Sequence, residues 1–256
     1  SLKLILLKAF LVSLVFSGIA SAREASLTAC TFPMAPYTIR DSHGKITGLE
    51  VDLVKALAKE AGLQAEFIDY PWNRALEMLK SGDLDVLMTM TRTPEREVFT
   101  HFLGISTHQQ FVLFVRKENA KIRIETLDDL TKNDYLFGIR QHFHYSDEFN
   151  SRLANDETFK RRFIAVAQAD QNLKRVKCGR LTGCIGDRIL TGYQVRNNKA
   201  YKDIRVVTLP FFKVHPVYFG ISRKISPEKL EKLQKAYHAL EKRGTINGIT
   251  RRWIKP

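Results

Sequence analysis

The sequence predicts an α/β protein built as two lobes, and three observations carry that expectation. Apolar runs of strand length alternate with segments of helical spacing from Ser26 onward, and the same grammar restarts at Phe111. Behind its leader the chain keeps about 234 residues, enough for one large domain or two small ones.

The leader comes first. Lys3 and Lys8 bracket an apolar opening that runs on through Phe10 to Phe16 and ends at Ala20-Ser21-Ala22, a small-x-small cleavage pattern. This is the pattern of a secretory signal peptide over residues 1–22. The apolar stretch is shorter than the roughly 20 residues that span a bilayer, and no later segment approaches that length, which predicts a soluble, periplasmic product. Leu27-Thr28-Ala29-Cys30 is similar to a lipoprotein lipobox. Arg23 and Glu24 interrupt the apolar run ahead of it, however, so cleavage after Ala22 is favoured over lipidation at Cys30.

Ser26 to Thr31 reads as a strand, and Pro33-Met34-Ala35-Pro36-Tyr37 breaks it because proline cannot continue a ladder. Asp41 to Lys45 reads as a turn. Leu53, Val54, Leu57, Ala58 and Ala61 then fall at helical spacing, and Gly62 supplies a left-handed stop. Leu63 to Tyr70 is a strand, Asn73 caps a helix running through Leu79 to Gly82, and Leu84 to Met90 is a buried strand. Thr93-Pro94 places a capping residue before a proline at the first helical position.

In the second half Phe111 to Val115 is a continuous apolar strand. Leu127 to Leu130 is helical, Tyr135 to Ile139 a strand, Asp147 to Leu153 a helix and Phe163 to Val166 a strand. Asp170 caps a helix carrying Leu173 and Val176, Gly179 stops it, and Leu181 to Ile185 returns as a strand. Ser226-Pro227-Glu228 starts a long amphipathic helix with Leu230, Leu233, Tyr237 and Leu240 on one face. Gly244 ends it, and Thr245 caps a last short helix to Trp253.

Composition excludes some function classes. At 44% hydrophobic and 27% charged the chain is globular rather than disordered. Its net charge of +14 falls to +12 when Lys3 and Lys8 leave. The basic residues are scattered, as in Lys160-Arg161-Arg162 and Arg251-Arg252, without aromatic interleaving, so no nucleic-acid partner is expected. Cys178 and Cys184 are close enough in sequence to close a small disulfide loop or to remain free, and Cys30 reads as a core residue of its strand.

Ala35-Pro36-Tyr37, Gly44 to Leu53, Lys80-Ser81-Gly82-Asp83-Leu84-Asp85-Val86 and Thr89 to Arg96 together resemble the extracellular solute-binding proteins of polar amino-acid ABC transporters. The likeness continues through Gly179 to Asp187 and Phe219-Gly220-Ile221-Ser222, and so covers nearly the whole chain behind the leader. It rests on order and spacing, since Thr-Pro-Glu-Arg alone fits any capped helix. The resemblance implies the type II periplasmic binding protein fold, two α/β lobes joined by a two-strand hinge. Lobe 1 is then 23–108 with 214–256, and lobe 2 is 109–213. Such a protein closes its lobes around one small solute, an amino acid or related carboxylate, and presents it as a monomer to a membrane permease.

The resemblance also assigns residues. Arg96 corresponds to the carboxylate-binding arginine, whose guanidinium fork matches a carboxylate bidentately. Read from the sequence alone, Arg96 would sooner pair with Glu95 or Glu97. Thr89 and Thr91 match further ligand donors, Tyr37 and Trp72 match walls of the pocket, and Asp187 matches the acid that holds a ligand ammonium. By itself Asp187 reads as a cap for the helix after it. Arg74, at the start of a helix beside Trp72, is a candidate for a second acidic group on the ligand.

The chain departs from the family at Gly138-Ile139-Arg140-Gln141-His142-Phe143-His144-Tyr145, where small hydroxyl residues are usual. Gln141 and His142 are the ligand-facing candidates there, and two histidines alone seldom make a metal site. No metal, cofactor or catalytic residue is expected, because no Ser-His-Asp order and no phosphate loop is present. A cyclohexadienyl dehydratase-like enzyme and a ligand-sensing domain, both on the same fold, stay as alternatives.

Overall fold

A computed structural model describes residues 25–254 apart from Pro33, His142, Ala167 and Gln168. The expected leader over 1–22 therefore lies outside the described residues. The chain divides into two compact units, one running up to Thr107 and resuming at Pro216, the other His108–His215.

The first unit is built on a five-stranded sheet of order β4-β1-β5-β12-β6, comprising β1 (Ser26–Thr31), β4 (Gln64–Asp69), β5 (Val86–Met90), β6 (Thr100–Gln109) and β12 (His215–Ser222). β1 runs parallel to β4 and β5, and β12 runs antiparallel to β5. Parallel neighbours need crossovers. Helix α1 (Leu49–Glu60) returns the chain from β1 to β4, and α2 (Trp72–Ser81) returns it from β4 to β5. Two short strands, β2 (Ile39–Arg40) and β3 (Ile46–Thr47), flank the expected turn as a hairpin, in which Asp41 accepts from the backbone of His43 and Lys45.

Helix ends differ from expectation in three places. Asn73 does not cap α2, which begins a residue earlier behind Pro71, a residue whose fixed φ suits the entrance to a helix. Asp170 lies within the first turn of its helix and pairs with Lys174 one turn on, at 2.9 Å. Thr245 is the first residue of the last helix, and Gly244 stands at its cap. Thr93 behaves as expected, its hydroxyl accepting from Arg96 N across the four-residue α3 (Pro94–Glu97). Thr93→Ala should therefore cost about 1 kcal/mol, readable as a lowered urea midpoint at unchanged slope.

The second unit carries the sheet β11-β7-β10-β8-β9, comprising β7 (Phe111–Arg116), β8 (Phe137–Arg140), β9 (Phe163–Val166), β10 (Gly183–Asp187) and β11 (Ile204–Thr208). Alternation along β7 explains its uninterrupted apolar sequence. Phe111, Leu113 and Val115 enter one core with Phe137, Phe149 and Phe159, while Val112 and Phe114 enter the other with Leu173, Val176 and Cys184. A strand covered on both faces has no position for a polar residue. The helices of this unit are α4 (Asp147–Asn155), α5 (Glu157–Lys160), α6 (Ala169–Lys177) and α7 (Leu190–Asn197).

All three cysteines are free, so Cys178 and Cys184 form no disulfide. Cys178 is exposed at the end of its helix, whereas Cys184 points into the core. Cys30 is a core residue beside Leu79 and Leu84, where burial pushes its thiol up to about 11. The long C-terminal helix α8 (Pro227–Lys242) buries Leu233, Ala236, Tyr237 and Leu240, as its spacing predicts, and also Lys229. The Lys229 ammonium meets Asp85 at 2.9 Å with both side chains buried, and α9 (Thr245–Trp253) follows, its Trp253 ring donating to Asp52 of α1. Among the described residues no helix is long and apolar enough to cross a membrane.

Candidate functional site

In the first unit the candidate residues gather at the ends of β5, α1, α2 and α3. Gly48 makes this possible: at φ 131° it lies where side chains are disfavoured, and a Cβ would collide with the Tyr37 carbonyl. The loop can then hydrogen-bond directly to the start of α1, Leu49 N to Pro36 O and Glu50 N to Tyr37 O. Tyr37 itself is 1% exposed and packs in the interior.

Glu50 is brought inward by the same contacts. It is 5% exposed, and its carboxylate accepts from the Thr89 hydroxyl. Thr89 sits at φ 52°, a left-handed conformation costly for a β-branched residue. It lies where the β5–β12 register shifts: Tyr218 pairs with Met90 but Gly220 with Leu87, so β5 carries one extra residue. Such bulges re-aim side chains and concentrate at functional sites. Here the bulge turns the Thr89 hydroxyl onto Glu50.

Burial raises the Glu50 carboxyl from its ordinary 4.5 to about 7, with the Thr89 hydrogen bond acting against the rise. The native state thus keeps a proton that the unfolded chain gives up. The stability this confers is complete below about pH 4.5 and is lost as pH rises through 7. Urea denaturation should show up to about 3 kcal/mol lost between pH 4.5 and 8 on this account, and Glu50→Gln should flatten that slope. Identical pH profiles for the two proteins would contradict the assignment.

Arg96 is half-buried. Its Nη1 donates to the Thr91 carbonyl at 2.9 Å, and its guanidinium lies 5.6 Å from the centre of the Trp72 ring, which packs in turn against Phe32. Neither acidic neighbour takes it: Glu97 pairs with Arg92, and Glu95 is held by Thr93 and its own backbone. Burial lowers its pKa, with Glu95 opposing, but a guanidinium stays charged. Thr91 thus contributes its carbonyl rather than a visible hydroxyl contact. Arg74 is exposed on the first turn of α2.

In the second unit β8 and β10 end side by side. Asp187 closes β10, is 2% exposed, and accepts at 2.7 Å from the backbone N–H of Leu190, the first residue of α7, although Ile189 rather than Asp187 stands at the cap position of that helix. A cavity beside it is lined by Arg140, Phe143, Tyr145, Asn172 and Thr191. Arg140 closes β8, and its guanidinium stacks 4.4 Å from the Phe143 ring centre. Burial lowers the Arg140 pKa, while Tyr145 and Asp187 raise it. Gln141 is exposed, with its N–H on Val166 O, and His142 lies outside the described residues. His144 pairs with Asp147 at 3.2 Å, and among the described residues no cluster of three or more metal-ligating side chains exists.

Sequence reading missed Glu50 and Arg140. A run of acid, apolar and acid at the start of a helix was the available signal for Glu50. For Arg140 it was a lone arginine ending an apolar strand.

Two five-stranded α/β units, between which the chain passes twice, are the architecture of a solute-binding protein of the type II periplasmic fold. An ancestral cationic amino-acid solute-binding protein has this architecture, with a TM-score of 0.73 at 26% identity over 91% of this chain and 97% of that one. The chain belongs to the bacterial extracellular solute-binding proteins, family 3, whose sequence pattern matches residues 27–256. It is similar to a probable histidine-binding protein of Neisseria gonorrhoeae, 28% identical over 219 residues, 84% of this chain and 77% of the relative. It is also similar to an ABC transporter arginine-binding protein of Escherichia coli strain K12, 24% identical over 262 residues and 99% of both chains.

Proposed function

We propose that the protein captures an amino acid or related small carboxylate outside the cytoplasm and hands it, chemically unchanged, to an ABC permease. One observation carries the ligand class: the Arg96 guanidinium is fixed by Trp72 and the Thr91 carbonyl yet is left by both neighbouring glutamates. A half-buried, preorganised fork that no carboxylate among the described residues meets in an ion pair, Glu95 acting on it only from a distance, suits the carboxylate of a ligand. The amino-acid names of the relatives support the same reading. Export would follow cleavage after Ala22, which mass spectrometry of the secreted protein tests, and the protein would act as a monomer.

A thermal-shift screen over amino acids, amines and organic acids tests the proposal. A true ligand at 100 times its Kd stabilises by about 2.7 kcal/mol. Prolonged incubation should return the ligand intact, and its conversion to a new product would establish an enzyme instead. A screen in which only amines without a carboxylate stabilise the protein would refute the role of Arg96.

A further inference from the structure

We infer that Arg140 is the resident counter-charge of Asp187, so that the second unit presents an acid already neutralised and the protein selects small carboxylates that need not carry an amino group. The inference deepens the proposed function and rests on it. Arg140 and Asp187 end neighbouring strands and line the same cavity. Asp187 is 2% exposed, and Leu190 N–H occupies one of its oxygens. A carboxylate so buried is stable in its charged form only with a cation close by.

Arg140 is built to be that cation. Its backbone N–H donates to the Tyr145 hydroxyl at 2.8 Å, and the Phe143 ring supports its guanidinium at 4.4 Å. Asp187 and Arg140 also sense each other electrostatically, Asp187 favouring the charged guanidinium against the effect of burial. A ligand ammonium seeking Asp187 would have to displace a charge that the protein already holds in place. Asn172 shares the cavity: it is 2% exposed, and its Oδ1 has no hydrogen-bond partner among the described residues. Without Arg140 the cavity would offer acceptors to an ammonium.

The experiment is calorimetry on the full chain with matched pairs: L-glutamate and glutarate, L-arginine and 5-guanidinopentanoate, L-histidine and 3-(imidazol-4-yl)propanoate. For the best-bound pair, wild type should bind the des-amino acid within about tenfold of the amino acid or tighter. Arg140→Gln should move that ratio at least about tenfold toward the amino acid, and Arg140→Lys should restore it. A ratio unmoved in folded Arg140→Gln overturns the inference, as does a wild-type preference for the amino acid of about a hundredfold. Both results leave the proposed function standing. If Arg140→Gln does not fold, as judged by circular dichroism, the wild-type ratio and Arg140→Lys decide. If no amino acid or carboxylate of the thermal-shift screen binds wild type, the proposed function falls and takes this inference with it.

Discussion

Arg96→Ala should weaken binding of the carboxylate ligand by roughly 30-fold to several thousandfold, as expected for truncating one member of a desolvated charge pair at about 2–5 kcal/mol. The range is set by preorganisation. Trp72 and the Thr91 carbonyl already hold the guanidinium in place, so little side-chain freedom remains to be lost when a ligand arrives. Arg96→Lys keeps the charge but not the planar fork or its stacking, and should fall between wild type and alanine. Titration calorimetry reads the affinities, and circular dichroism confirms the folds. Wild-type affinity in a folded Arg96→Ala protein would place the carboxylate elsewhere. Arg74→Ala, an exposed change on α2, should leave affinity for monocarboxylates unaltered and affect only ligands with a second acidic group.

The second large effect is on stability. Lys229 and Asp85 meet at 2.9 Å with side chains 3% and 8% exposed, and Asp85 also accepts from Thr28 N. Removing the lysine strands a buried carboxylate, which costs about 3–5 kcal/mol. Lys229→Ala should lower the urea midpoint accordingly, whereas the double change Lys229→Met with Asp85→Leu should recover most of the loss, because an apolar pair of similar volume removes both desolvation penalties. A loss below about 1 kcal/mol for Lys229→Ala would mean that the pair is hydrated and behaves as a surface bridge.

These two residues show what a linear sequence exposes and what it hides. The surroundings of Arg96 are local, since Thr93 and Pro94 fix the helix start and the Thr91 carbonyl is five residues away. Its candidacy nevertheless comes from the family resemblance, because the sequence alone pairs it with Glu95 or Glu97. Lys229 was not legible, since a lysine near the start of an amphipathic helix reads as solvated, and only Asp85, 144 positions earlier, draws it inside. Glu50 was hidden in the same way. In the first turn of a helix an acid reads as a complement to the helix dipole, and its burial depends on Thr89, 39 positions on.

Strands followed the same rule. Ser26–Thr31 and Phe163–Val166 stand where the apolar pattern places them. The ten residues of Thr100–Gln109 gave no strand signal, because histidines, Gly104 and a polar end dilute the pattern and most of these residues are only half-buried. Gly104 is explained only by a partner far along the chain, since a Cβ there would collide with the Tyr237 ring of α8.

The lysine–aspartate pair and strand β12 also set an order of events in time. His108–His215 is continuous, so all the strands and helices of that unit are in hand once its last residue has emerged. The first unit must wait: β5 pairs with β12, the Ser222 hydroxyl donates to the Leu79 carbonyl from 143 positions away, and Lys229 reaches Asp85 across 144. Closing loops of that length before any contact rewards them makes assembly slow, and until then the Asp85 side of the sheet stays open to water and to other chains. The unit that carries Arg96 is therefore the last to become whole, complete only when the final helices arrive.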